Sequence, residues 1–499
     1  MDYDFDLIVI GSGAGGGTFA WAASRAGKRV LLVERGERPA ANSDGHDEQA
    51  TLIDKRPYDD RTVRVNGVAR QLYVGGVLGG STTLYGAALL RPSEDDFHPG
   101  RYYGNRLPRA VWDWPITYRD LEPYYQEAER LYGVAGSATD EYGPLGRPRD
   151  GYPNESLPLQ PINRRLMAAN QARGLQPFRL PLAIDPSRCL RCGSCAGYVC
   201  PTGARASSAQ LLDPADATDT PLHTLTGAEV HSFSQNGRGE VEGVRVRDRA
   251  TGKEQVFRAR RYVLAAGALA SPLILLRSRI DHPLIGRNYM FHLSPVVAGI
   301  FRKRTGADAT FVKQVGFADY YFGTKRFAHK LGIIQSLPVP GPKMMAKAGP
   351  RRMPKGLVRF LRERMLPLCG IVEDLPNPAN RVLLDRDGRV ILRHSFGRYD
   401  IERGLRLARL MAIILRRAGA MFCLTKPYMS EEHAAHQCGT LRFGRDPVAA
   451  VADPDGRLFG HRNVFVVDGS LFPTSLGVGP ALTIMANALR VARVVVREV

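Results

Sequence analysis

The chain has 499 residues, 44% of them hydrophobic and 24% charged, which excludes a disordered or fibrous protein and allows two or three globular domains. No apolar run is long enough to cross a bilayer, and the acidic opening Met1-Asp2-Tyr3-Asp4-Phe5-Asp6 is unlike a secretory signal, so a cytoplasmic location is expected. The net charge of +20 argues against a polycationic substrate and leaves an anionic membrane surface or an acidic protein as partners; no nucleic-acid motif accompanies it, so no nucleic acid is expected.

Asp6-Leu7-Ile8-Val9-Ile10 reads as a buried strand, followed by the turn Gly11-Ser12-Gly13-Ala14-Gly15-Gly16 and a helix over residues 18–26. Residues 29–33 form a second strand that ends at Glu34-Arg35-Gly36. Strand, glycine turn, helix, strand and acid together are the dinucleotide fingerprint. The glycines permit a tight turn, close approach to a pyrophosphate, and packing of helix on strand. The helix N-terminus faces the phosphates with its partial positive charge. Glu34 lies 23 residues after Gly11, placed to bond a ribose hydroxyl. Only one such fingerprint occurs, which favours FAD alone over FAD with NAD.

Residues 40–70 are polar and irregular, and Gly75-Gly76-Val77-Leu78-Gly79-Gly80-Ser81 makes a second glycine loop suited to pressing backbone against a ligand. Residues 91–132, rich in aromatics and prolines, read as a separate lobe. Four cysteines then follow within twelve residues: Cys189, Cys192, Cys195 and Cys200, with Pro201 next. The spacing C-x2-C-x2-C-x4-C-P differs by one residue from a ferredoxin-type iron–sulfur run. Three short gaps suit a [4Fe-4S] or [3Fe-4S] cluster better than zinc, whose cysteine pairs lie farther apart; zinc and a purely structural tract are the alternatives. Cys369, Cys423 and Cys438 stand alone and read as small core residues.

Residues 261–268 form another buried strand running into Gly267, with a helix over 271–277. Residues 343–364 hold eight basic residues and one acid, and Leu357, Val358, Leu361 and Met365 would share one helix face opposite the arginines. Such a helix either lies on anionic lipid or packs on its own domain. Residues 464–470 repeat the strand-then-Asp-Gly form, and 480–496 read as a long helix. Three distant pieces thus look like parts of one parallel sheet.

The chain resembles the GMC (glucose–methanol–choline) oxidoreductases over its whole length. The motifs that carry this are the N-terminal fingerprint, Gly76-Val77-Leu78-Gly79-Gly80-Ser81, Gly267-Ala268-Leu269-Ala270-Ser271-Pro272, His436-Gln437-Cys438-Gly439-Thr440 and Val467-Asp468-Gly469-Ser470-Leu471-Phe472-Pro473-Thr474. The resemblance implies an α/β fold. A Rossmann-like FAD-binding domain with a parallel sheet (residues 1–90, 205–292 and 440–499) is joined to a discontinuous α+β substrate-binding domain (91–204 and 293–439). It implies FAD held by Gly11, Ser12, Gly13, Ala14, Gly15, Gly16, Glu34, Arg35, Gly79, Gly80, Ser81, Val230, Ala266, Gly267, Asp468, Gly469, Pro480 and Leu482. Val230 would meet the adenine through its backbone, and Asp468 the ribityl chain. Leu84 and Tyr85 occupy the region where some members carry a histidine for covalent attachment, so the FAD is expected to be non-covalent. With the cysteine tract, the chain is similar to bacterial sugar dehydrogenases of the glucoside 3-dehydrogenase type, where a cluster relays electrons from flavin to a cytochrome.

The implied reaction is oxidation of a sugar, glycoside or polyol CH–OH by hydride transfer to the flavin. Electrons would leave through the cluster to a cytochrome or quinone, with room for a small partner subunit. A base must take the hydroxyl proton, and His436 is the candidate, since a neutral imidazole suits that task. The family places a second His or Asn before the last helix; here Gly479 takes that place, and His433, three residues before His436, is the candidate substitute. Two other readings follow: surface oxidation of a lipid-like alcohol, motivated by the basic helix, and a non-oxidising FAD lyase or isomerase, motivated by Gly479.

Overall fold

The computed structural model describes residues 3–39, 43–213, 222–237, 240–349, 353–429, 431–434 and 436–499. Strands Phe5–Ile10 and Val30–Val33 are almost wholly apolar and buried, as parallel strands covered on both faces must be. They centre a five-stranded parallel sheet in the order Val464–Val466, Ala259–Leu264, Phe5–Ile10, Val30–Val33, Leu222–Leu225. The sheet therefore draws on three remote stretches of chain. On one face Leu7, Val9 and Val263 meet Phe19 of helix Ala14–Arg25 and Val491 and Val495 of helix Ala481–Arg497. Burying each such side chain contributes about 1.5–3 kcal/mol.

The second large sheet is antiparallel and six-stranded: Ala420–Lys426, Val296–Phe301, Met365–Ile371, Ile333–Ser336, Val315–Phe317, Phe178–Arg179. Helix Arg398–Arg417 covers it with Leu407, Met411, Ile414 and Leu415. A deeply buried ion cluster, in which Lys330 bridges Asp96 and Glu373, anchors the chain before helix Tyr118–Leu131 to this sheet.

The expected boundaries differ from the observed pairing in two places. The stretch 40–70 is not wholly irregular: Thr62–Val65 and Val68–Gln71 form a hairpin, and it joins Arg381–Leu384 and Val390–Arg393 in a four-stranded sheet. Residues 62–71, assigned by sequence to the FAD domain, thus share a sheet with the other domain. Nor is 91–132 a separate lobe: Trp114 Nε1 donates to Thr474 Oγ1 at 2.9 Å, and the Tyr125 and Thr483 hydroxyls bond at 3.0 Å, fixing it on the C-terminal helix region.

In the basic segment, helix Lys355–Glu363 buries Val358 but exposes Leu357 at 45%, together with Phe360 at 45%. Leu357 therefore leaves the expected shared face, and Met365 opens a buried strand instead of extending the helix. Two of the segment's basic residues, Arg351 and Arg352, lie outside the described residues. Among the described residues no helix is long and apolar enough to cross a membrane.

Candidate active site

A cavity of about 660 Å³ runs from Glu34 and Val230, past the glycine turn, to His436 and Gly479. Gly11, at φ +97, turns the chain off the first strand, and its N–H bonds the Val33 carbonyl at 2.8 Å. Glu34 is buried, which pushes its carboxyl pKa up against the pull of hydrogen bonds from Gly36 and Ser12. Its Oε2 accepts from Ser12 N at 2.9 Å and Ser12 Oγ at 2.5 Å, and its Oε1 from Gly36 N at 2.7 Å. A carboxylate accepts about four bonds, so one position remains for a ribose hydroxyl. Gly79 N donates to Ser12 Oγ at 2.8 Å, and a Cβ on Gly80 would stand 3.1 Å from Gly13 Cα, so the two glycine loops form one cradle. Nothing lies within 4 Å of a Cβ position on Gly13, the residue capping helix Ala14–Arg25, so this helix end opens into the cavity where a pyrophosphate would sit.

Most of the sequence-predicted cofactor residues line this cavity: Gly11, Ser12, Gly13, Ala14, Gly15, Glu34, Arg35, Gly80, Ser81, Val230, Ala266, Gly267, Asp468, Gly469 and Pro480. Three do not. Gly16 is needed for packing, because a Cβ there would overlap the Gly11 carbonyl oxygen. Gly79 serves through its bond to Ser12, and Leu482 is fully buried in the core, while Ala481 and Ile484 face the cavity in its stead. Two of the lining residues have other work. Arg35 is held by Asp59 at 3.1 Å, Asp60 at 2.7 Å and Glu229 at 3.2 Å. The Asp468 carboxylate accepts from Gly267 N at 2.8 Å, Ser271 Oγ at 2.5 Å, Ser470 N at 2.9 Å and the Ser470 hydroxyl, so its side chain ties the two loops together at the cavity wall.

At the other end stands His436, at φ +66, a left-handed conformation rare outside glycine and frequent at functional sites. Met290 and Cys438 form an antiparallel bridge, so two residues along in opposite directions His292 faces His436. Their Nδ1 atoms are 2.9 Å apart, and His292 Nε2 lies 2.8 Å from the Leu476 carbonyl. A carbonyl only accepts, so His292 carries its proton on Nε2. Burial holds the His292 pKa down to about 4, so near neutral pH its Nδ1 is bare and accepts the proton of His436 Nδ1. His436 is then left with a bare Nε2. Burial, with lesser contributions from His292 and Lys313, depresses its pKa well below the ordinary histidine value. A Cβ on Gly479 would stand 3.4 Å from this Nε2, so the missing side chain is what keeps the lone pair open to the cavity.

His433 lines the same cavity, but its ring stacks on Tyr73 with centroids 4.4 Å apart. The ring bonded to His436 is His292, 144 residues away in sequence, which carries no local motif.

Cys189, Cys192, Cys195 and Cys200 line one half-buried cleft with Arg205 and Phe311. Backbone N–H groups aim at two of the sulfurs, Arg191 N to Cys189 at 3.4 Å and Arg205 N to Cys200 at 3.5 Å. Burial raises the Cys189 and Cys192 thiol pKa values. At Cys200 burial acts the same way but is outweighed by hydrogen bonds from Arg205 and Thr202, and the pKa falls. Among the described residues no three His, Cys, Asp or Glu side chains form a site that could hold a metal ion. The backbone between these cysteines, Gly193, Ser194, Ala196, Gly197 and Tyr198, is itself a wall of the large cavity.

A family profile described as GMC oxidoreductase matches residues 5–294, and a second of the same description matches 376–488. The chain belongs to the GMC oxidoreductase family. It is 32% identical to 6'''-hydroxyparomomycin C oxidase of Streptomyces lividus, over 99% of this chain and 92% of that protein. It is 25% identical to the fructose dehydrogenase large subunit of Gluconobacter japonicus, over 99% of this chain and 98% of the relative. Its fold matches the crystal structure of pyridoxine 4-oxidase from Mesorbium loti with a TM-score of 0.69 at 22% identity, covering 98% of each chain. As a GMC oxidoreductase it is an FAD enzyme of alcohols, and the cradle from Glu34 to Gly80 fits that cofactor.

Proposed function

We propose that this GMC oxidoreductase is a dehydrogenase that oxidises a CH–OH group of a sugar, glycoside or polyol and hands the electrons to an external acceptor through an iron–sulfur cluster on Cys189, Cys192, Cys195 and Cys200. The observation that carries the reaction is the bare Nε2 of His436, fixed in that tautomer by His292 and opened to the cavity by Gly479. Bound FAD supplies the two-electron acceptor for the carbinol hydrogen. His436 Nε2 takes the hydroxyl proton, a role that contributes about 10²–10⁴-fold in rate. His292 keeps that lone pair aimed, and its own bond to Leu476 keeps the His292 proton from competing for the space between the rings.

The substrate end of the cavity mixes Ser294, Gln335 and Gln437 with Ile333, Leu337 and Ile371, which suits a polyhydroxylated ring with one apolar face. Lys313 and Arg362 also face the cavity. With the net charge of +20 they disfavour the polycationic aminoglycoside that the name of the Streptomyces relative gives.

The cluster is supported by the tract's spacing, by the two N–H bonds to sulfur, and by the shared wall between the cysteine loop and the cavity. Four thiolates around a single zinc ion would sit about 3.8 Å from one another, given Zn–S bonds of about 2.3 Å. Around a cubane they stand farther apart, so a cleft that does not close on one ion is compatible with it. Such a cluster supplies single-electron transfer to a cytochrome or quinone.

Anaerobic purification followed by iron and acid-labile sulfide counts, with a panel of sugars and polyols added to the flavin-loaded enzyme, tests the reading. The expected result is about four irons, bleaching of the flavin by a polyol, fast reoxidation by dyes and slow reoxidation by oxygen. Iron-free protein refutes the relay; rapid peroxide formation makes the enzyme an oxidase; no bleaching by any alcohol refutes the reaction. A second reading, a lipid-like alcohol taken at an anionic membrane, is favoured by Leu357 and Phe360 exposed beside Lys355 and Arg359, with Arg362 of the same helix in the cavity wall. Flotation with anionic and neutral liposomes decides it: binding to neither refutes docking by this helix.

A further inference from the structure

Lys313 is a buried cation within electrostatic reach of Cys195, a thiolate in the proposed cluster. The residue is 7% exposed, and no described carboxylate pairs with it. The ionisable groups that act on it are two thiols, Cys195 and Cys369, and the Arg205 guanidinium; it acts in turn on His436. Taking an ammonium out of water is unfavourable unless something pairs with it. A cluster thiolate at Cys195 would offset part of that cost, and the remaining open side of the ammonium faces the cavity. Lys313 lines the cavity, and its Nζ sits against Gly86, where a Cβ would overlap it; Gly86 is also cavity wall, five residues beyond Ser81 of the second glycine loop. Absence of a side chain at Gly86 is what admits the ammonium.

The chemistry at His436 requires such a group. When Nε2 removes the hydroxyl proton, the carbinol oxygen gains negative charge inside a low-dielectric cavity. That charge needs a donor opposite the base. Gly479 offers no side chain for it, and His433 is stacked on Tyr73.

We propose that Lys313 is that donor: its Nζ hydrogen-bonds the reacting oxygen of the substrate while His436 Nε2 accepts the proton of the same oxygen. The inference rests on the alcohol-oxidation reading and deepens it. The proton goes from oxygen to Nε2, the carbon's hydrogen leaves with its electron pair to the cofactor, and the product is the carbonyl compound; Lys313 transfers nothing and keeps its three protons. It also gives the site a preference for substrates with an electron-rich oxygen, neutral or anionic, beside the reacting carbon, and against amino sugars with an ammonium there.

Lys313→Met and Lys313→Arg, both loaded with FAD, test this in two ways. In anaerobic rapid mixing with a polyol that bleaches the wild type, Lys313→Met should lower the limiting rate by about 10²–10³-fold, the usual effect of losing one donor to a developing oxyanion. The half-saturating concentration should move far less, and Lys313→Arg should recover part of the rate. Independently of turnover, calorimetry of the oxidised enzyme with acetate, a small carboxylate that mimics the charged oxygen, should show binding to wild type and to Lys313→Arg but not to Lys313→Met. A Lys313→Met enzyme that keeps FAD and reacts at the wild-type rate, or binds acetate equally well, overturns the assignment. Loss of FAD from Lys313→Met with normal retention in Lys313→Arg also overturns it, because the ammonium would then hold the cofactor. If no alcohol bleaches the wild type, the parent reading fails and this one with it; if the wild type is bleached and the methionine variant equals it, this one alone fails.

Discussion

Replacing His292 by phenylalanine isolates what the histidine pair does. The ring is fully buried and does not line the cavity, so the substitution touches no substrate and nearly conserves volume. It removes the acceptor for His436 Nδ1–H, at 2.9 Å, and the donor to the Leu476 carbonyl, at 2.8 Å. A buried polar group left unpaired costs about 1–3 kcal/mol. His436 can escape its share by moving the proton to Nε2, where cavity water receives it, but that places a proton where the lone pair must be. The productive tautomer is then disfavoured by the same about 1–3 kcal/mol, which lowers the limiting rate by about 5–150-fold. The Leu476 carbonyl stays unpaired, so unfolding stability falls by about 1–3 kcal/mol, less whatever is regained as Leu476 relaxes from φ +65. Anaerobic stopped-flow reduction of the bound flavin gives the rate and its dependence on substrate; urea unfolding gives the stability. A His292→Phe enzyme that is destabilised yet reacts at the wild-type rate refutes the tautomer argument, since it would show that Nε2 is bare without His292.

Other outcomes follow from the same geometry. Burial lowers the pKa of His292 to about 4, so the unfolded chain takes up a proton near pH 6.5 that the folded chain refuses until about 4. Stability is therefore level above pH 6.5 and falls as pH drops through that window, by up to about 3 kcal/mol from this ring. Urea midpoints at pH 7 and 4.5 should show a smaller acid loss in His292→Phe than in wild type; equal losses contradict it. Gly479→Ala adds a methyl 3.4 Å from His436 Nε2 and 3.6 Å from its Cε1, ordinary contact distances. The melting temperature should hold while the methyl covers the lone pair and slows flavin reduction by about tenfold or more; an unchanged rate means the oxygen approaches His436 from elsewhere. Gly16→Ala drives a Cβ into the Gly11 carbonyl oxygen and should yield protein that elutes without flavin from gel filtration; full flavin occupancy contradicts the cradle.

The sheet and most of the cofactor cradle were legible because they are local. Strand, glycine turn, helix and acid lie within residues 5–36, and each element's type follows from runs such as Leu7–Ile10 and Val30–Val33. What the sequence does not show is what depends on long-range register. His292 has no motif and meets His436 only because Met290 pairs with Cys438. Lys313 looks like any surface lysine until Gly86 and the strands around it enclose the ammonium. The hairpin 62–71 sits amid polar residues, and its partner Val390–Arg393 is more than 300 residues away. Leu482 was misplaced because a one-residue change of helix phase turns a cavity-facing position, like that of Ala481, into the core.

The central step of the reaction is removal of the hydroxyl proton by His436. His436→Asn tests it with least disturbance, because asparagine tolerates the left-handed backbone that His436 adopts at φ +66. The measurement is the limiting rate of anaerobic flavin reduction by the best polyol, with flavin content determined on the same sample. With flavin retained, the rate should fall by about 10²–10⁴-fold. Reduction at the wild-type rate would contradict the account.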